Sequence, residues 1–466
     1  MEPEQKVQKQ ENQKQNEEQL IEQAKKISIK EAGAYGFMDG FGIRYITPYA
    51  IALGASNAFI GFLSSAPGMI GNFSQLYSVK IMEKFSRKKI VFTGVLLQAL
   101  MWLPIILLGI SSLVLKFPSE ISAISLIILY SLLALFGAFA GPAWSSWMKD
   151  LVTKNSGAYF GKRNRIAGFI SLASMLIAGL ILDYFKLINN PIIGFSILFA
   201  IAFIGRSLSA YCFTKQYEPE IKYERGYYFT FLQFLKAMPR NNFGRFTIYI
   251  SLVSFATSIA SPFFAVYMLK DLHFSYFFYT LVIMSNSLSS IIFMPLWGKF
   301  ADTHGNLKVI KIAGVLTIFV PVLYFATALA FKPGIVVVAF LMLTEAFSGF
   351  AWAGFNLSAG NFIYDAVTRQ RMVLCISYFN IINASGAFIG ALIGGFLSSI
   401  TFTFLGLSSI LVIFLLSAFV RLIITSIFSS KIKEVRNNVK AFGIKETKER
   451  IFNLKPNKIW DFLGLK

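Results

Sequence analysis

The chain has 466 residues, 55% of them hydrophobic and only 14% charged, with a mean hydropathy of +0.61 and a formal net charge of +21. A soluble domain carries about 25% charged residues, so composition excludes a water-soluble globule. Two cysteines and two histidines, scattered along the chain, leave no basis for a disulfide framework, a zinc site or a haem site.

The first 31 residues read as a Glu/Gln/Lys tail with no apolar core, so no cleavable signal is expected and the first span inserts as itself. Runs of about 20 apolar residues then recur, the length that carries a helix across roughly 30 Å of hydrocarbon; barrel strands would alternate over short segments instead. Twelve spans are expected, at 33–54, 58–80, 90–115, 121–148, 165–185 and 191–213, then 246–269, 276–299, 309–331, 334–356, 373–398 and 402–428. They make an all-α integral membrane protein with an N-terminal bundle (32–213), a polar linker (214–245) carrying a surface helix near Phe229–Met238, a C-terminal bundle (246–428) and a basic tail (429–466).

The charge follows this layout. With both termini inside, 21 Lys and Arg fall in the inner loops and 4 in the outer ones, namely Lys116, Lys186, Lys270 and Lys332. That is the bias of the positive-inside rule. It places both termini in the cytoplasm and the chain in the cell membrane, and it assigns the positive charge to orientation and anionic lipid rather than to a nucleic acid. The basic tail, with Ile451, Trp460 and Phe462, fits either a segment lying on the inner leaflet or a solvated one.

The two bundles echo each other at offsets between 214 and 219 residues. Val79 to Lys88, between the second and third spans, returns blurred as Gly298 to Leu307. Thr47-Pro48-Tyr49 returns as Ser261-Pro262-Phe263, Asp150 to Lys154 as Asp365 to Arg369, and Arg206 as Arg421. Four echoes in the same order point to parallel duplication of a six-helix unit, a signature of transporter folds.

On these residues the chain resembles the major facilitator superfamily over nearly its whole length. That family carries Gly-x-x-x-Asp-[Arg/Lys]-x-Gly-[Arg/Lys]-[Arg/Lys] after its second and eighth spans. The second copy here keeps Gly298, Asp302 and Gly305, with Asn306 and Leu307 in place of the basic pair. The first keeps Arg87 and Lys88, has Glu83 for the aspartate, and replaces both glycines by Val79 and Ser86. The resemblance implies two pseudo-symmetric six-helix bundles and a cytoplasmic gate in which Asp302 faces the start of the fifth span and Glu83 that of the eleventh. A carboxylate there gains about 0.3–1 kcal/mol from the helix dipole. A turn that only fixes topology is the plainer reading of the same loop.

Ionisable residues at membrane depth default to a functional reading. The first span carries Asp39 and Arg44, about 140° apart on a regular helix and therefore poorly placed to pair with each other. Glu345, halfway along the tenth span, is the expected partner of Arg44, because the resemblance places the first, fourth, seventh and tenth spans around the cavity. Asp39, Arg44 and Glu345 are the proton and substrate candidates; a static pair tying two helices is the alternative for Arg44 and Glu345. Gly36 and Gly40 beside Asp39 admit a close neighbour. Arg206 and Arg421 are expected to snorkel to inner headgroups. Tyr45, Tyr249, Ser258, Asn286, Trp352, Asn380 and Asn383 are candidate cavity-lining residues, each competing with a helix–helix hydrogen bond. Gly386, Gly390 and Gly394 form a close-packing stripe.

No nucleotide loop is present: Gly157 to Arg163 has three residues between its glycines rather than four, and no Ser or Thr after the lysine. No nucleophile–base constellation stands out either, and neither an enzyme nor a cofactor is expected. The drug-antiporter element Gly-Pro-x-x-Gly-Gly is missing from the fifth span and the sugar-porter element Pro-Glu-Ser-Pro-Arg from the linker. The expectation is a monomeric secondary transporter of a small molecule, working by alternating access with protons as the candidate coupling ion. The alternative is a non-transporting protein on the same scaffold, a receptor or an assembly factor handling a lipid or pigment.

Overall fold

A computed structural model of the protein describes residues 3–82, 84–153, 156–219, 229–330, 334–368, 371–400 and 408–436. Among these residues there is no strand. The first half holds α1 (Pro3–Phe41), α2 (Ile46–Ala52), α3 (Asn57–Met82), α4 (Arg87–Leu100), α5 (Trp102–Val114), α6 (Ser119–Leu151), α7 (Ser156–Leu187) and α8 (Pro191–Lys215). A short α9 (Phe231–Ala237) lies within the linker, opened by Thr230 and Gln233 in a capping box. The second half continues with α10 (Asn242–Val266), α11 (Tyr276–His304), α12 (Asn306–Ala330), α13 (Ile335–Ala366), α14 (Met372–Ser399) and α15 (Ser409–Phe428).

Ten helical segments among the described residues are long and apolar enough to cross a bilayer, from Arg87–Val114 to Ser409–Lys431. The other two expected spans fall on α1–α2 and on α3. In the first, a 3₁₀ turn at Ile43–Tyr45 interrupts the helix at about mid-span. Pro48 explains the break: its ring clashes with the carbonyl four residues back, at Arg44, and it has no N–H to bond it. Pro104 acts likewise on Leu100, where α4 gives way to α5.

The chain divides into two compact units, Met1–Glu224 with Ser275–Phe277, and Arg225–Phe274 with Phe278–Lys466. Inside each, the packing partners repeat. In the first, α1 lies on α7 and α8, and α4 on α6 and α8; in the second, α10 lies on α14 and α15, and α12 on α13 and α15. Glycines bring the first pair of each set together. A Cβ on Gly40 would stand 2.5 Å from the Ser171 carbonyl oxygen of α7, and one on Gly386 2.4 Å from that of Ser251 in α10. Large apolar side chains such as Leu107, Phe169, Leu343 and Phe419 are exposed, as a lipid-facing surface requires.

The segment read as a tail is helical from Pro3, and it packs. Ala24, Ser28, Glu31 and Ala32 are all buried, so α1 enters the bundle about two turns before the expected first span.

Candidate functional site

In the first half, the break in α1 determines the geometry around Arg44. The chain leaves the regular helix at Phe41, so the 140° separation expected of Asp39 and Arg44 does not apply. Arg44 Nε donates to Asp39 Oδ2 at 3.2 Å, and Ser171 Oγ of α7 donates to the same oxygen at 2.6 Å. The two residues therefore pair with each other, contrary to the reading of a regular helix. The Arg44 side chain stays 46% exposed against 15% for Asp39, and among the described residues its terminal amino groups have no partner. The site is thus a guanidinium held by one edge, at a helix break near mid-span.

Toward the N-terminal end of α1 in the same half lies a cluster that sequence reasoning missed. Glu31 Oε2 is 2.6 Å from Arg163 Nη2, and its Oε1 accepts from Ser209 Oγ at 2.7 Å and lies 3.8 Å from Arg206 Nη1. Arg206 Nε donates to Gln98 Oε1 at 2.7 Å. Arg163 stacks on Trp144 and Arg206 on Tyr35. Arg206 does not snorkel: it is buried and turned into the bundle because Glu31 supplies the counter-charge there. The signal was present as Ala24, Ser28 and Ala32, small residues four apart, which mark a buried face continuing back into the supposed tail.

Arg421 does not snorkel either. It is 2% exposed, Nη1 donates to the Thr317 carbonyl at 2.6 Å, and Nε has no partner among the described residues. The second half keeps the arginine of the repeat and has Phe246, not an acid, near the place that Glu31 holds in the first.

Glu345 sits on α13 between α11 and α12, 8% exposed. Oε1 accepts from Tyr324 Oη at 2.7 Å and Oε2 from Asn286 Nδ2 at 2.8 Å, with Asn286 also 3.0 Å from Ser348 Oγ. Tyr324 is fixed by stacking on Phe264 with ring centroids 4.1 Å apart. No Lys or Arg among the described residues lies within ion-pair distance. Arg44 and Glu345, expected as partners, are each bonded within their own half: Asp39 holds Arg44, and neutral donors occupy both carboxyl oxygens.

The remaining candidates divide. Tyr45 is buried and donates to the Met175 carbonyl at 2.7 Å, tying the helix break to α7. Tyr249 is also fully buried, its hydroxyl against Gly314. Asn383 accepts from Ser254 at 2.6 Å, so α14 is bonded to α10 there. Trp352 is half-buried against Phe355. Ser258 and Asn380 are half-buried with no side-chain bond among the described residues. Asn286 joins a titratable group, Glu345.

Of the loop motif, Arg87 is 1% exposed and pairs with Asp150 and Glu218, while the Lys88 N–H donates to Glu218 at 3.3 Å. Gly305 has φ of +90° and ends α11, its N–H on the Ala301 carbonyl; a residue with a Cβ rarely takes that backbone. Gly298 is half-buried and faces Leu357. Asp302 is 76% exposed and reaches Arg436 at 3.3 Å. Glu83 lies outside the described residues.

The sequence profile described as Major Facilitator Superfamily matches residues 32–241 and 246–460. No curated protein matches the chain in sequence. Among solved structures, the nucleoside transporter NupG is similar at a TM-score of 0.62 and 18% identity, over 89% of this chain and 100% of that one. The POT family transporter PepTSo gives 0.63 at 12% identity, over 88% and 97%. A bacterial homologue of the human lysosomal transporter Spinster gives 0.54 at 14%, over 82% and 83%. At such identities these likenesses establish the fold alone.

Proposed function

Because the chain belongs to the major facilitator superfamily and is a multi-pass membrane transporter, we propose that it is a secondary active carrier of a small anionic molecule, coupled to protons. Its two halves would alternate access to a site near mid-membrane, as a monomer in the cell membrane with both termini in the cytoplasm; the loop charges support that orientation.

The observation that carries the coupling is Glu345, a buried carboxyl held by Tyr324 and Asn286 with no cation beside it among the described residues. Both partners donate to a carboxylate, and the Tyr324 hydroxyl can turn to accept from the acid. The same cage therefore serves either protonation state. The substrate charge is assigned to Arg44. A broken helix at mid-span is where carriers of several folds bind their cargo, and the unengaged edge of a guanidinium matches a carboxylate or phosphate in two parallel hydrogen bonds. Asp39 and Ser171 hold the other edge still.

A thermal-shift screen of the purified protein against carboxylates, phosphate esters and neutral controls identifies the substrate class. Vesicles are then reconstituted with the wild type and with Glu345→Gln. The variant is expected to keep substrate exchange at equal pH and to lose accumulation driven by a pH gradient. Accumulation that survives the substitution removes Glu345 from the coupling role.

A further inference from the structure

Each half builds the same charge cluster at one end of its helices, with one difference. In the first, Arg87 is the first residue of α4, Asp150 the penultimate residue of α6, and Glu218 the third residue after α8. Glu218 accepts from the Arg87 N–H at 2.9 Å and from the Lys88 N–H, capping α4. The Arg87 guanidinium bonds Asp150 and Glu218, and also the Pro219 carbonyl at 2.9 Å.

In the second half, Asn306 is the first residue of α12 and Asp365 the penultimate residue of α13. Glu434 is the third residue after the short 3₁₀ turn Ser429–Lys431 that ends α15. Glu434 accepts from the Leu307 N–H at 2.8 Å and caps α12, as Glu218 caps α4. Asn306 occupies the place of Arg87 and reaches Asp365 through Nδ2 at 2.7 Å, but its Oδ1 is buried with no partner among the described residues. The position suits a side chain that only donates. Arg436 brings the guanidinium instead: Nε donates to Asp365 Oδ2 at 2.8 Å, and Nη1 to Asp302 at 3.3 Å. The segment is fastened at two more points. Lys433 exchanges both backbone hydrogen bonds with the Asn242 side chain at 2.8 and 2.9 Å, and Ile432 is 3% exposed.

We infer that Arg436 replaces the arginine missing at position 306, and that Lys431–Arg436 is a strap closing the second charge cluster across the ends of α10, α11, α12 and α13. Its first effect is to position carboxylates. Asp365 and Asp302 share the Arg436 guanidinium, whose charge offsets their mutual repulsion, while the Arg436 backbone N–H donates to Glu434 at 3.4 Å and helps to keep it on the start of α12. Its second effect is on the gate motif. Asp302, the acidic residue of the second copy, is engaged by the strap, so whatever moves Arg436 also alters the charge Asp302 presents. The first half contains its arginine within the repeat, so its segment after α8 supplies only the capping acid Glu218 and the Pro219 carbonyl.

The test is hydrogen–deuterium exchange on the purified full chain, which needs no substrate and so stands or falls separately from the carrier reading. Arg436→Ala is expected to speed exchange at the start of α12 about tenfold, with the start of α4 unchanged. Arg436→Lys should fall between the two. Adding Asn306→Arg to Arg436→Ala should restore slow exchange, because it rebuilds the arrangement of the first half. Wild-type exchange in Arg436→Ala, equal acceleration at α4 and α12, or failure of Asn306→Arg to restore it would each overturn the proposal. If Arg436→Ala yields no folded protein, recovery of monodisperse protein in the double variant supports the strap, and its absence counts against it.

Discussion

Replacing Glu31 by glutamine should destabilise the protein strongly. Glutamine keeps the size of the side chain and an oxygen for Ser209, so the substitution removes the charge and little else. What it leaves is Arg163, 12% exposed, and Arg206, 8% exposed, without the carboxylate that lies 2.6 Å from one and 3.8 Å from the other. Breaking a buried ion pair from one side costs about 3–5 kcal/mol. At about 2–4 °C per kcal/mol for a bundle of this size, the midpoint should fall by about 6–20 °C. Thermal unfolding in detergent, followed by tryptophan fluorescence, is a suitable assay because Trp144 stacks on Arg163. Glu22→Gln is the control: its partner Lys25 is half-buried, but Glu22 itself is 64% exposed, and pairs open to solvent are worth about 0–1 kcal/mol. A midpoint for Glu31→Gln within 2 °C of Glu22→Gln would falsify the reading of the cluster as a buried, charge-balanced joint.

Arg421→Met should leave the midpoint unchanged or raise it, since a guanidinium with one carbonyl bond and an unpartnered Nε gives way to apolar packing worth about 1–4 kcal/mol; the same change at Arg206 should lower it. Gly390→Ala should separate α14 from α10, where a Cβ would collide with the Phe255 carbonyl, at about 1–3 kcal/mol, whereas Gly141→Ala, with nothing within 4 Å, should be silent by the same melt. Gly305→Ala places a Cβ at φ +90° and should cost about 1–2 kcal/mol, read as faster exchange at the end of α11. Arg44→Lys should weaken binding of whichever anion the screen identifies more than tenfold in titration calorimetry, because a point charge replaces a planar fork; equal affinity would remove Arg44 from the substrate site.

Much of the fold was legible. Apolar runs of bilayer length, loop lysines and arginines, and echoes such as Asp150 with Asp365 are linear features, and that pair reappears as the penultimate residues of α6 and α13. Glu345 was legible as a mid-span acid, and Asn286 as a polar residue at similar depth, but not as each other's partner. Partner assignment failed where the chain departs from ideal helix. The break before Pro48 turned Arg44 onto Asp39, and the early entry of α1 brought Glu31 to Arg206.

Sequence alone determined that this chain lives in a bilayer, that it is helical and that one unit was used twice, because water, hydrocarbon and loop charge act on each segment separately. Only the tertiary structure decided which charges meet. A buried ion takes whatever counter-charge or hydrogen bond the packed helices bring within about 3 Å, and that depends on breaks, glycine contacts and a strap from beyond the last helix. Hence Arg206 has an acid and Arg421 has none among the described residues, although the sequence presents the two as repeats of one residue.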